Sequence, residues 1–156
     1  MEEKTYVVTL FGHRDLCEHD RVEKLLYDIL HKLIENKQFV EVYIGRNGEF
    51  DVFAASVVKR VKKAFGSEKC SLTLVLPYTV RDIEFYEKYY DDIIIPDIVN
   101  VYPKAAISKR NRFMVEQCDL LICYVEHDKG GAYTALKYAN KLSKKVINLA
   151  KDIEIY

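Results

Sequence analysis

The chain alternates short apolar runs with longer amphipathic stretches. Tyr6-Val-Val-Thr-Leu-Phe11 is rich in β-branched and aromatic residues and stops at Gly12-His13-Arg14, which predicts a first strand and its loop. Asp20 then precedes Val22, Leu25, Leu26, Ile29, Leu30, Leu33 and Ile34, with Glu23 three places after that cap position. Apolar positions at a helical period behind such a cap predict a helix that buries one face on a sheet. Phe39–Ile44 reads as a second strand, and 45–51 as its loop. Val52–Phe65 follows as a helix with Ala54, Ala55, Val58 and Val61 inward and Gly66 as its stop.

Leu72–Leu76 is apolar on both faces apart from Thr73, as a strand between two helical layers must be, and Pro77 ends it. Tyr78–Asp92 is open between a short helix and a lid-like excursion, and Ile93-Ile-Ile-Pro96 reads as a brief edge strand cut off by proline. Ser108 is a good N-cap for a helix over 109–115, Leu120–Val125 is a further strand, and Val146–Leu149 is the last. Between those two strands Ala132, Ala135, Leu136, Ala139 and Leu142 form a helical face. Alternating strands and helices require crossover connections. Right-handed crossovers give an α/β, Rossmann-like, doubly wound and mainly parallel sheet with helices on both faces. No linker or repeat interrupts the pattern, so residues 1–156 are expected to form a single domain.

Five of the six glycines fall just after a strand-like run and ahead of a helical pattern: Gly12, Gly45 with Gly48, and Gly130 with Gly131. In a parallel sheet these turns meet at one carboxyl edge, where small residues let backbone N–H groups approach a phosphate. A nucleotide-type ligand is the expectation. No G-x-G-x-x-G follows the first strand and no Walker A motif occurs, so the phosphate site must be built differently. Lys109, Arg110 and Arg112 read either as a solvated helix face or as phosphate ligands, with Arg110 offering a planar fork. Asp51 caps the second helix, accepts a ribose hydroxyl, or does both. His13 and Arg14 face the same edge, Thr134 adds a hydroxyl from a first helical turn, and Tyr78 and Tyr133 are candidates to stack on a base.

Charge narrows the partners. Lys plus Arg equals Asp plus Glu at 24 each, so no global positive field draws the chain to nucleic acid or to an anionic membrane. The apolar runs fall far short of the roughly 20 residues that span a bilayer, and Met1-Glu2-Glu3-Lys4 has no signal-like stretch, so a cytoplasmic location is expected. Cys17, Cys70, Cys118 and Cys123 form no C-x-x-C pair, and the last three sit in or beside apolar strands as small core residues. His13, Cys17 and His19 lack the second paired cluster of a structural zinc site, so no metal and no cofactor are expected. Tyrosines over 78–90 make a homodimer plausible.

A family resemblance rests on the order of these motifs: Gly45-x-x-Gly48-x-x-Asp51, Arg110-x-x-x-Met114, Asp119-Leu-Leu-Ile122 and Gly130-Gly131-Ala-Tyr-Thr134. Over most of its length the chain resembles the SLOG superfamily, the Rossmann-like group that includes the Lonely Guy cytokinin-activating phosphoribohydrolases and the DprA-type DNA-processing proteins. Gly12-His13-Arg14 further resembles its small stand-alone bacterial branch. The resemblance implies a nucleotide or nucleotide-derived ligand at the glycine edge. Hydrolases of the family use an Arg before the Met, matched by Arg110, and a Glu in P-G-G-x-G-T-x-x-E. Here Lys129 stands for the Pro, Tyr133 for the third Gly and Lys137 for that Glu, and the loop from Asp119 to Gly130 is longer. Cleavage of an N-glycosidic bond needs a carboxylate that Lys137 cannot supply. Binding or sensing is therefore expected over catalysis. The alternatives are an N-glycosidic hydrolase using Asp51, Glu49 or Glu126, and single-stranded nucleic-acid binding, which the zero net charge disfavours.

Overall fold

The computed structural model describes residues 4–96 and 102–151. Residues 1–3, 97–101 and 152–156 lie outside the described residues. The elements run β1 (Thr5–Gly12), α1 (His19–Asn36), β2 (Phe39–Ile44), α2 (Glu49–Phe65), β3 (Cys70–Val75), α3 (Ile83–Tyr89), β4 (Asp92–Ile94), α4 (Pro103–Gln117), β5 (Leu120–Tyr124), α5 (Gly131–Lys141) and β6 (Lys145–Asn148). The sheet order is β4-β3-β2-β1-β5-β6 and every pairing is parallel. This is the Rossmann-like α/β architecture expected from the alternation.

Each central strand feeds both layers because successive side chains point to opposite faces. Val8, Leu10 and Val42 pack with α1 and α2, whereas Phe11, Leu121 and Cys123 pack with α4 and α5. Leu26, Leu30 and Ile34 seal α1 to the sheet, each worth about 1.5–3 kcal/mol of burial. Asp20 is not the cap of α1: the helix begins at His19 behind Glu18, whose φ of 56° is left-handed. Glu23 reaches across to Arg60 of α2 at 2.6 Å instead of closing a capping box.

The open segment resolves into the short helix α3 followed by the edge strand β4. The Asp91 carboxylate ties that edge down by accepting the Leu72 N–H at 2.7 Å and the Lys62 ammonium. Of the tyrosines expected at a surface there, Tyr90 is buried and Tyr78 and Tyr89 are exposed. Cys70, Cys118 and Cys123 are buried and Cys17 is exposed. Burial pushes the Cys70 and Cys123 thiols up to about 12 and Cys118 to about 11, which leaves them unreactive. Among the described residues no helix is long and apolar enough to cross a membrane.

The largest departure from the sequence reading is α4, which begins five residues before Ser108. Pro103 occupies its first turn, where a fixed φ suits the helix and a missing N–H leaves nothing unsatisfied. Ser108 lies mid-helix, and the added turn carries Lys104 and Ile107 to the carboxyl edge of the sheet.

Candidate functional site

β1 and β5 are neighbours from which the strand order runs in opposite directions, toward β2 on one side and β6 on the other. Crossovers leaving such a pair go to opposite faces and open a crevice at the carboxyl ends of the strands. A cavity of about 430 Å³ lies there, within the range of roughly 300–1,000 Å³ typical of small-molecule sites. The β1 loop contributes Gly12, His13 and Arg14, the β2 loop Gly45 and Asn47, and the start of α5 Gly130, Gly131 and Ala132. Arg110 and Met114, four residues apart on one face of α4, line its wall.

Arg110 is only 1% exposed, so it is not the solvated charge that its neighbours Lys109 and Arg112 suggest. Its Nε donates to Asn111 Oδ1 at 2.8 Å and its Nη1 to the Val75 carbonyl at 2.9 Å. Nη2 is buried without a partner. A buried guanidinium with an unspent donor is costly unless an acceptor arrives.

Asp51, 8% exposed, is among the described residues the other buried charge and the one carboxylate lining the cavity. It sits in the first turn of α2, behind Gly48 at the cap, and its Oδ2 accepts the Asn47 N–H at 2.9 Å. Burial raises its pKa to about 6, against the pull of the Asn47 N–H and the Arg110 charge. The same burial lowers Arg110 from the usual guanidinium value, and Asp51 opposes the shift. Arg14, Lys104 and Arg110 therefore outnumber one partly protonated carboxylate, in a chain of zero net charge.

Most of the glycines expected to cradle a ligand make room for protein atoms. A Cβ on Gly12 would lie 2.1 Å from Phe50 Cγ, one on Gly45 3.0 Å from Arg110 Nη1, and one on Gly48 2.6 Å from Arg14 Cα. Gly48 does not line the cavity; it lets the β1 loop pass, and the Glu49 N–H donates to the Arg14 carbonyl there at 2.8 Å. Gly130 is the conformational glycine, with φ of 97°. At α5 the first intrahelical bond runs from the Thr134 N–H to the Gly130 carbonyl, 3.1 Å. The N–H groups of Gly131, Ala132 and Tyr133 precede that bond, so no carbonyl of α5 accepts them, and Gly131 and Ala132 line the cavity.

His13 has a structural task the sequence did not announce. Its Nε2 accepts the N–H groups of both Glu126 (2.8 Å) and His127 (3.1 Å), and its ring stacks on His127. It thereby pins the β5–α5 loop that ends in Gly130. An acceptor Nε2 requires the neutral ring, and the His13 pKa is lowered by burial and then by His127. His19, the other histidine of the rejected metal set, engages Glu49 at 2.8 Å.

Thr134 lies outside the cavity. Its hydroxyl donates to the Gly130 carbonyl at 3.0 Å, and it lines a neighbouring groove between α4 and α5. Lys137 also stays out of the cavity, with its ammonium over the Tyr133 ring. Lys104, Ile107, Asn47 and Asn111 line the cavity without having been anticipated. The signal for the first two was Pro103 at a helix start, and for Asn111 its place beside Arg110.

No protein-family model and no curated protein matches the chain. Solved structures do. DNA processing protein A from Streptococcus pneumoniae superposes with a TM-score of 0.63 at 15% identity, covering 90% of this chain and 49% of that one. The Helicobacter pylori DNA processing protein A, described by its single-stranded DNA binding mode, gives 0.60 at 15% identity over 90% and 63% of the two chains. The Moco carrier protein of Chlamydomonas rheinhardtii gives 0.57 at 12% identity over 94% and 77%. The chain thus spans about half of the first protein and under two thirds of the second. At such identities the likeness is one of fold, and at that level it agrees with the SLOG resemblance.

Proposed function

We propose that this chain binds a nucleotide or another phosphorylated small molecule in the cavity between β1 and β5, as a sensor or carrier and not as a hydrolase. The observation that carries the reading is Arg110 Nη2. It is a buried donor without a partner, on a residue that lines the cavity into which the start of α5 also faces, ahead of that helix's first intrahelical bond. A phosphate there accepts from both, at the positive end of a helix dipole, with Arg14 and Lys104 to neutralise its charge. The folds of a Moco carrier and of a single-stranded DNA binder are compatible with such a role.

Gly131→Asp tests this without disturbing packing, because a Cβ there would meet nothing closer than Asn111 Nδ2 at 3.6 Å. Thermal-shift titrations with inorganic phosphate, AMP and ADP should stabilise the parent and leave the variant unmoved. Equal stabilisation of both would remove the ligand from this site.

Asp51 supports a second reading, N-glycosidic hydrolysis. A cavity carboxyl with a pKa of about 6 is suited to donate a proton to a departing base near neutral pH. Chromatographic detection of free base from AMP, abolished in Asp51→Asn, would favour it. Salt-sensitive binding of oligonucleotides in preference to mononucleotides would instead favour a nucleic-acid ligand.

A further inference from the structure

The groove that holds Thr134 is not a separate feature of the surface. It encloses about 440 Å³ between α4 and α5, and it shares Lys104, Ile107, Asn111 and Gly131 with the cavity beside Arg110. The two spaces therefore lie side by side as one trough lined in common by those four residues. Their chemistry differs. The cavity holds the buried Arg110 and Asp51, whereas the groove is floored by Ile107, Val115 and Ala135.

Two flat groups line the groove. Arg112 lies over the Tyr138 ring, 4.7 Å from its centroid, and the Tyr138 hydroxyl donates to Glu116 at 2.5 Å, which fixes the ring's orientation. On the α5 side Gly131, Thr134 and Ala135 are small, so their side chains leave space in the groove for a planar group. The charged groups lining the groove, Lys104, Arg112 and Lys141, are all cations. Such a rim repels a cationic group and accepts an anionic ligand extending from the cavity.

We propose that the α4–α5 groove is the second half of the ligand site and seats a flat aromatic group joined to the phosphate held beside Arg110. This rests on the phosphate reading given above, and it adds which part of the ligand goes where. The anion is fixed by charge-assisted donors in the cavity. The aromatic group gains burial on the Ile107–Val115–Ala135 floor and stacking against Tyr138 and Arg112. The ligand class is consequently a phosphate ester of a planar ring system, and a bare sugar phosphate fills only half of the trough.

Calorimetry with four probes separates the two claims: inorganic phosphate, ribose 5-phosphate, AMP and FMN. In the parent chain AMP or FMN should bind at least about tenfold more tightly than ribose 5-phosphate. Ser108→Trp, at an exposed groove position outside the cavity, should erase that advantage. Tyr138→Ala, which removes the aromatic wall without filling the groove, should reduce it. Phosphate and ribose 5-phosphate should bind both variants as they bind the parent.

Phosphate binding with no preference for the ring-bearing esters would overturn the groove assignment and leave the phosphate site standing. A preference that survives both variants would overturn it equally. A change of oligomeric state in Ser108→Trp, with the ligand panel unchanged, would give the groove to a protein partner. Failure of the parent to bind any of the four would remove both claims.

Discussion

Asp51→Asn isolates the energetic cost of the buried carboxylate. The native state holds the Asp51 proton more tightly than the unfolded chain does, since burial lifts the pKa from 3.8 to about 6. Stability contributed by the neutral carboxyl is therefore complete below the lower value and is lost as pH rises through the upper one. The difference, at about 1.4 kcal/mol per pKa unit, comes to about 3 kcal/mol by pH 8. Asparagine keeps an oxygen to accept the Asn47 N–H and cannot ionise. The variant should match the parent near pH 4 and exceed it by up to about 3 kcal/mol at pH 8, or roughly 6–12 °C in Tm for a chain of 156 residues. Paired denaturant melts every half pH unit, in buffers free of phosphate, measure the difference, and other titrating groups cancel between the two proteins. Parallel stability curves from pH 4 to pH 8, or a variant weaker than its parent at pH 8, would refute the reasoning.

Three further outcomes follow from the same geometry. Arg110→Met should lower Tm, because it leaves the buried Asp51 and the Val75 carbonyl without their cationic partner, and it should abolish any stabilisation by phosphate or AMP; an unchanged ligand response in thermal-shift assays would take Arg110 out of the site. The His13 pKa is lowered, so its neutral form supports the fold above the usual value of 6.5 and that support is lost as pH falls below it. Hydrogen exchange at the Glu126 and His127 amides should accordingly rise between pH 7.5 and 5.5 relative to core amides, and a His13→Ala variant should show fast exchange at both pH values. Gly12→Ala should cost about 1–3 kcal/mol in chemical denaturation by driving a Cβ into Phe50, and Phe50→Leu in the same chain should recover part of it; an unaffected Gly12→Ala would mean that the ring moves freely.

The parallel, doubly wound sheet was legible because periodicity changes cleanly along the chain, from β-rich runs such as Tyr6–Phe11 to the helical spacing from Val22 to Ile34. The place of the cavity was legible for a related reason, since parallel strands place all their carboxyl-end loops together. What individual residues do there was not. Gly12, Gly45 and Gly48 were read as ligand glycines because sequence records the missing side chain but not which atom fills its place, here Phe50, Arg110 or Arg14. Arg110 sits among Lys109, Asn111 and Arg112, a polar run with no apolar stripe to mark its inward face, and only Met114 one turn later points to burial. Ser108 competed with Pro103 as a helix start, and the stronger capping residue was the wrong one. The His13 clamp depends on two backbone N–H groups more than a hundred residues away, a contact that no local pattern encodes.

The central claim is that Arg110 and the start of α5 together bind phosphate, and amide and guanidinium NMR shifts during titration with inorganic phosphate test it most directly. The account predicts the largest shifts at the Gly131, Ala132 and Tyr133 amides and at the Arg110 side chain, saturating together and absent in Gly131→Asp. Saturating shifts confined to other surfaces, or none at these four residues at phosphate concentrations in the tens of millimolar, roughly where a single anion site of weak affinity fills, would contradict it.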